Sequence, residues 1–314
     1  MTMTNWFPAP KQTVKALTSA AVVVLGLWVT PTFAGDPFRN SSPRPIGDKT
    51  EAAFNSIFKD GNYKQAKSYL SQAESSEANE PLAYAMLAAL AYNDQDWDTL
   101  NRYADKTLQI SQQLTKTDPL RGNIYTAVGH FLQGTYNFKK DGPVGALTKL
   151  QKVFQYLDEA KKVNPNDPEL NLITGYMDLM LSVNLPFSDP AQAIKRLETY
   201  GSPSYLAYRG IALGYRDLKQ YSKAMEFVDR ALQVTPNNPE VLYLKAQILR
   251  NQAKNKEALE FFNKALEKQA QLPNSSAAQI TYEQCRLENK IDNGNEDKGR
   301  DCRAERNTIR SRKN

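Results

Sequence analysis

A period of 34 residues constrains this chain more than any other feature. Sliding the sequence by that amount from Tyr205 brings Ala212 onto Ala246, Arg216 onto Arg250, Ala224 onto Ala258 and Glu226 onto Glu260. Phe227 falls on Phe261, Ala231 on Ala265 and Leu232 on Leu266. A fixed period of this size marks repeated supersecondary units that cannot bury their apolar faces alone and share a core by stacking. A helix–turn–helix unit explains the recurring positions. Ala212 lets the first helix approach the second. Ala224 and Ala231, seven apart, share one face of the second helix, where small side chains permit close packing. Phe227 and Val228 fill the space between layers. Pro236 ends the second helix, and Asn237, Asn238 and Pro239 make the turn that follows.

The stretch carrying Tyr208, Ile211, Ala212, Tyr215, Leu218, Tyr221, Ala224, Phe227, Ala231, Leu232, Pro236, Asn237 and Asn238 resembles the tetratricopeptide-repeat consensus. The resemblance implies an all-α, right-handed superhelix of helical hairpins with a concave face lined by the first helix of each repeat. About six repeats are expected, at 47–80, 81–118, 119–167, 168–204, 205–238 and 239–272. The first contains Phe54, Ile57, the turn Asp60–Tyr63, then Ala66, Leu70 and Ala73. In the second, Leu100 and Thr107 stand where alanines are usual, which predicts wider helix spacing. The third exceeds the period: its first helix is expected to reach toward Phe138, turn at Lys139–Gly142 and return from about Pro143 to Val163. The fourth carries Leu185–Pro190 between its helices. Residues 35–46 read as a short linker and 273–292 as a capping helix sealed by Ile280 and Leu287. Residues 293–314, dense in charge, read as a disordered basic tail.

The first 34 residues have the layout of a secretory signal peptide: Lys11 and Lys15, an apolar run from Ala16 to Val29, Pro31, then Thr32-Phe33-Ala34. The run is shorter than the roughly 20 residues of a membrane-spanning helix, so an uncleaved anchor is the lesser alternative. Gly35, not cysteine, follows the expected cut, which disfavours a lipoprotein. The layout predicts export to a periplasm, or to a thylakoid lumen in a cyanobacterium, and no stable membrane insertion of the mature chain. The formal net charge is +6 before the two leader lysines are removed, too mild to indicate nucleic acid.

Cys285 and Cys302 are the only cysteines. In an oxidising compartment an even pair suggests a disulfide; two thiols, one buried on the capping helix, are the alternative. His130 is the only histidine, in a helical apolar setting, so most hydrolytic triads and histidine metal sites are excluded. Gly142-Pro143-Val144-Gly145 lacks the sequel of a phosphate loop. No catalytic residue, metal ligand or cofactor is assigned, and no enzyme is expected.

The resemblance places ligands on the concave face. Carried over by position, that face receives Leu206, Arg209, Leu213 and Arg216 from the fifth repeat and Glu240, Tyr243, Gln247 and Arg250 from the sixth. Leu82, Ala85, Ala89 and Tyr92 come from the second, and Glu169, Leu172, Tyr176 and Leu179 from the fourth. Arg209, Arg216 and Arg250 on one wall suit a carboxylate or acidic peptide. Alternatively, Asp217 and neighbouring acids neutralise them. The chaperone-type carboxylate clamp is not reproduced. The leading expectation is an exported scaffold for a protein or peptide partner, resembling envelope- or membrane-complex assembly factors. A component of peptidoglycan processing and an end-to-end structural assembly are the alternatives.

Overall fold

The computed structural model describes residues 35–39, 41–184 and 190–312. The expected leader and the Leu185–Asp189 part of the fourth repeat's connection lie outside them. The described chain is all-α, a superhelix of helical hairpins. The first hairpin pairs α1 (Asp48–Phe54), continued by one π turn (Asn55–Lys59), with α2 (Tyr63–Ser76). The second pairs α3 (Pro81–Asn93) with α4 (Trp97–Leu114). Then come α5 (Pro119–Val163), α6 (Pro168–Asn184) with α7 (Pro190–Tyr200), α8 (Ser204–Asp217) with α9 (Tyr221–Val234), and α10 (Pro239–Asn251) with α11 (Asn255–Leu266). Two further helices, α12 (Asn274–Asn293) and α13 (Cys302–Arg310), close the array.

Local chemistry sets these boundaries. Proline, whose missing N–H costs nothing in a first turn, opens α3, α5, α6, α7 and α10. The residue before it is often an acid or amide that caps the helix: Glu80 accepts from Leu82 N, Asp118 from Arg121 N and Asp167 from Leu170 N. The paired alanines Ala66/Ala73, Ala224/Ala231 and Ala258/Ala265 are all fully buried. At α4 the small residues sit instead on the opposing helix. A Cβ on Gly122 would lie 2.4 Å from Thr115 Oγ1, and one on Gly129 would lie 2.6 Å from Leu108 Cγ. These glycines let α5 come close to α4 at Thr115 and Leu108, and Leu100 and Thr107 are buried completely.

The long α5 is a hairpin in itself. Gly142 adopts φ 72°, ψ −162°, which breaks the helix into two limbs. The limbs run antiparallel: Asn137 donates to the Gly145 carbonyl, Lys149 to Gln133, and the His130 ring stacks on Tyr156 at 5.5 Å.

Two expectations are corrected. Residues 35–46 are no linker. Phe38 and Ile46 are buried in the main core, and Phe38 packs edge-on against Phe54 at 5.1 Å. Arg39 bonds Asp36 (2.8 Å), Asp167 (2.5 Å) and Glu169 (3.2 Å), while Arg44 bonds Asp118 (3.1 Å) and Glu169 (3.2 Å). The caps that begin α5 and α6 concentrate carboxylates in one buried place, and this segment supplies the cations that make it tolerable. The second correction concerns the tail. Residues 302–310 are helical, with Ile309 buried against the cap. Cys285 and Cys302 are joined as a disulfide, their Cα atoms 5.6 Å apart. Arg300 adds ion pairs to Glu288 and Glu305. A cross-link and ion pairs substitute for the core that composition alone does not provide.

Two stability tests follow. Arg39→Ala leaves Asp36, Asp167 and Glu169 buried without their shared cation; a loss of about 3–5 kcal/mol is expected in urea denaturation. Breaking the disulfide by Cys302→Ser should cost roughly 3 kcal/mol and expose the segment after Asn293 to limited proteolysis first.

Candidate ligand-binding cleft

The array bends far enough to bring its first hairpin against the start of α10. Asn238 makes the seam. Its Oδ1 caps α10, accepting from Glu240 N (2.9 Å) and Val241 N (3.3 Å), while its Nδ2 donates to the carbonyls of Phe58 (3.1 Å) and Lys59 (3.2 Å). Gly61, at φ 66°, is required both for its turn and for space, because a Cβ there would stand 2.6 Å from Pro239 Cδ. The Tyr63 hydroxyl donates to Glu240 (2.9 Å), whose other oxygen accepts from Arg209 (3.0 Å). Burial and the adjacent Glu240 carboxylate push the Tyr63 phenol far above its ordinary range, so it remains a donor.

Inside this closure lies a cleft of about 390 Å³. Its wall comes from the first helix of five successive hairpins: Phe54 of α1; Leu82, Ala85, Met86 and Ala89 of α3; Tyr125, Val128 and Phe131 of α5; Leu172, Ile173, Tyr176 and Met177 of α6; and Leu206 and Arg209 of α8. Phe38, Phe58 and Tyr63 complete it. The polar atoms at its edge are engaged elsewhere. The Tyr125 hydroxyl donates to Glu169 (2.6 Å) and the Tyr176 hydroxyl to the Leu206 carbonyl (2.7 Å). Burial pushes the Tyr176 phenol up to about 12. Glu169 is fully buried beside Tyr125. Burial raises its pKa against the pull of Arg121 and Arg39, and both its oxygens are occupied, one by Tyr125 and one by Arg39 and Arg44.

The sequence-derived site residues separate into three places. Tyr176 and Arg209 line the cleft, together with Leu82, Ala85, Ala89, Leu172 and Leu206. Arg216, Tyr243, Gln247 and Arg250 form a polar strip farther along, and Leu213 lies half-buried between Arg209 and Arg216 on α8. Tyr92 joins neither; it is exposed and packs edge-on against Trp97 at 5.7 Å. None of the three wall arginines lacks a protein partner. Arg209 pairs with Glu240, Arg216 with Asp217 (2.8 Å) and Gln247 (2.7 Å), and Arg250 with Glu283 (3.0 Å). Glu283, on the capping helix, also accepts from Tyr243 (2.7 Å), Gln279 (2.8 Å) and Gln247. The repeat pattern carried no signal for Glu283, because it lies after the last repeat. Nor could it reveal Phe38, which sits in the segment read as a linker.

His130 is set apart from these groups. Burial and the nearby Lys149 lower its pKa, and its Nδ1 is buried without a partner. Among the described residues no cluster of His, Cys, Asp or Glu could hold a metal ion, and no helix is long and apolar enough to cross a membrane.

Residues 217–291 match the family described as anaphase-promoting complex, cyclosome, subunit 3, a tetratricopeptide-type repeat family. With the 34-residue period and the stacked hairpins, the match supports an array of tetratricopeptide-type repeats. No curated protein matches its sequence. The array is similar in structure to PilW, described as a widely conserved type IV pilus biogenesis factor, at 15% identity and a TM-score of 0.42 over 66% of this chain and 85% of PilW. It is also similar to human IFIT1 in a dimer with PPP-AAAA, at 16% identity and a TM-score of 0.46 over 84% of this chain. The match spans 59% of the IFIT1 chain.

The seam is directly testable. Asn238→Ala removes a helix cap and both of that residue's own hydrogen bonds to the first hairpin. It should cost about 1 kcal/mol or more and should accelerate amide exchange in residues 48–76 beyond that in α8 and α9.

Proposed function

We propose that this chain is a non-catalytic scaffold, exported through its leader, that holds a segment of a partner protein along the concave surface. The carrying observation is the cleft itself. Five consecutive first helices contribute to one apolar concavity, and α8 continues from it, through Arg209 and Leu213, to the polar strip at Arg216, Gln247 and Arg250. An apolar depression beside a few convergent polar groups is the usual form of a binding site. The strip is only partly shielded: the Arg216 and Arg250 side chains remain 22% and 34% accessible. A partner carboxylate or amide there would exchange with Asp217 or Glu283 and would not meet a bare charge.

Two variants divide the surface. Ala89→Trp fills the cleft from an exposed position, and Arg216→Glu with Arg250→Glu inverts the strip. Used as bait in an envelope extract, the native chain is expected to capture a partner that both folded variants lose. Equal capture by all three would contradict the concave-surface reading.

A further inference from the structure

The cleft has a property that an extended peptide site does not need. Four residues bring polar groups to its wall, and each is bonded inside the protein: Tyr63 to Glu240, Tyr125 to Glu169, Tyr176 to the Leu206 carbonyl and Arg209, through one guanidinium nitrogen, to Glu240. A peptide backbone inside the cleft would bury N–H and C=O groups with no partner, which is costly, so a partner segment lying along the concave surface could send only apolar side chains into it. A helix supplies its own hydrogen bonds and would likewise place only side chains of one face in an open depression of about 390 Å³. A hydrocarbon chain carries no group to satisfy and gains from every methylene removed from water.

We propose that the cleft binds one linear hydrocarbon chain, that of a free single-chain amphiphile, with its head group left at the mouth. The proposal rests on the concave surface being the binding face and narrows what enters the cleft. The volume falls within the 300–1,000 Å³ range of small-molecule sites. The lining suits a flexible chain: Met86 and Met177 adapt their shape, and Phe38, Phe54, Phe58 and Phe131 offer broad apolar faces. Ala85 and Ala89 keep one side of the wall low, so a chain can lie against α3. Arg209 offers no strong anchor for an anionic head because Glu240 already neutralises it at 3.0 Å. Affinity should therefore follow chain length more than head-group charge.

The test uses the full oxidised chain and the apolar fluorophore N-phenyl-1-naphthylamine, displaced in turn by octanoate, dodecanoate and hexadecanoate and by the corresponding alcohols. The expected result is saturable displacement that strengthens by about fourfold per methylene and then levels off once the cleft is full. Acid and alcohol of equal length should compete alike. Ala89→Trp and Ile173→Trp, each with native circular dichroism, should lose the competition. Displacement that ignores chain length, or that persists in both folded variants, would overturn the proposal, and the length series on the native chain decides it even if the variants misfold. If a captured partner is lost on filling the cleft while no amphiphile displaces the probe, the hydrocarbon assignment fails and the scaffold reading stands.

Discussion

The contact between the first hairpin and the start of α10 is the constraint on which the rest of the structure depends. In a stacked array each hairpin touches only its neighbours, and the inner surface faces water. Here Asn238 and Glu240 reach residues some 180 positions earlier, and the inner surface becomes a bounded cleft. The side chains that do this are ordinary parts of a repeat boundary. Asn238 is a turn residue and helix cap whose amide nitrogen is left to bind Phe58 and Lys59. Glu240 is a first-turn acid, favourable at a helix N-terminus, that also receives Tyr63 and Arg209.

The same double use recurs at the other repeat boundaries. At the described Asp-Pro and Glu-Pro starts Glu80, Asp118 and Asp167 each find a cation from elsewhere in the chain: Arg121, Arg44 and Arg39. Glu80 takes Arg121 in a buried bidentate pair, Glu169 takes Arg39, Arg44 and Tyr125, and the cap contributes Glu283 to Arg250 and Tyr243. Buried pairs of this kind add little net stability but are costly to break, so they fix register between hairpins more than they strengthen them. They also explain why the arginines are less available than their spacing suggests.

Much of this was legible from residues. The period fixes the helical hairpins because alanines at i and i+7 and a proline after the second helix leave few other packings. The third repeat's excess length and its Lys139–Gly142 turn foretold one long hairpin, whose two limbs meet at Gly142. The concave positions inferred by analogy include Leu82, Ala85, Ala89, Leu172, Tyr176, Leu206 and Arg209, all of which meet in the cleft. What could not be read was long-range. Nothing local to Arg39 says that it pairs with acids more than a hundred residues away, and nothing local to Phe38 says that it packs on Phe54. The even pair of cysteines pointed to the Cys285–Cys302 link, but nothing in a charged tail says that Cys302–Arg310 will fold as a helix beside α12. Curvature is a sum of small rotations, and only the three-dimensional array shows where its ends meet.

Closure of the array is the central claim, and a distance across the seam tests it most directly. Spin labels at Lys64→Cys on α2 and Glu267→Cys just beyond α11 would bracket the seam, and the two native cysteines are already joined. Pulsed electron resonance on the oxidised chain should give one narrow population at the short end of the measurable range. A broad or long-distance population, as an open array would give, would contradict the closed cleft and everything built on it.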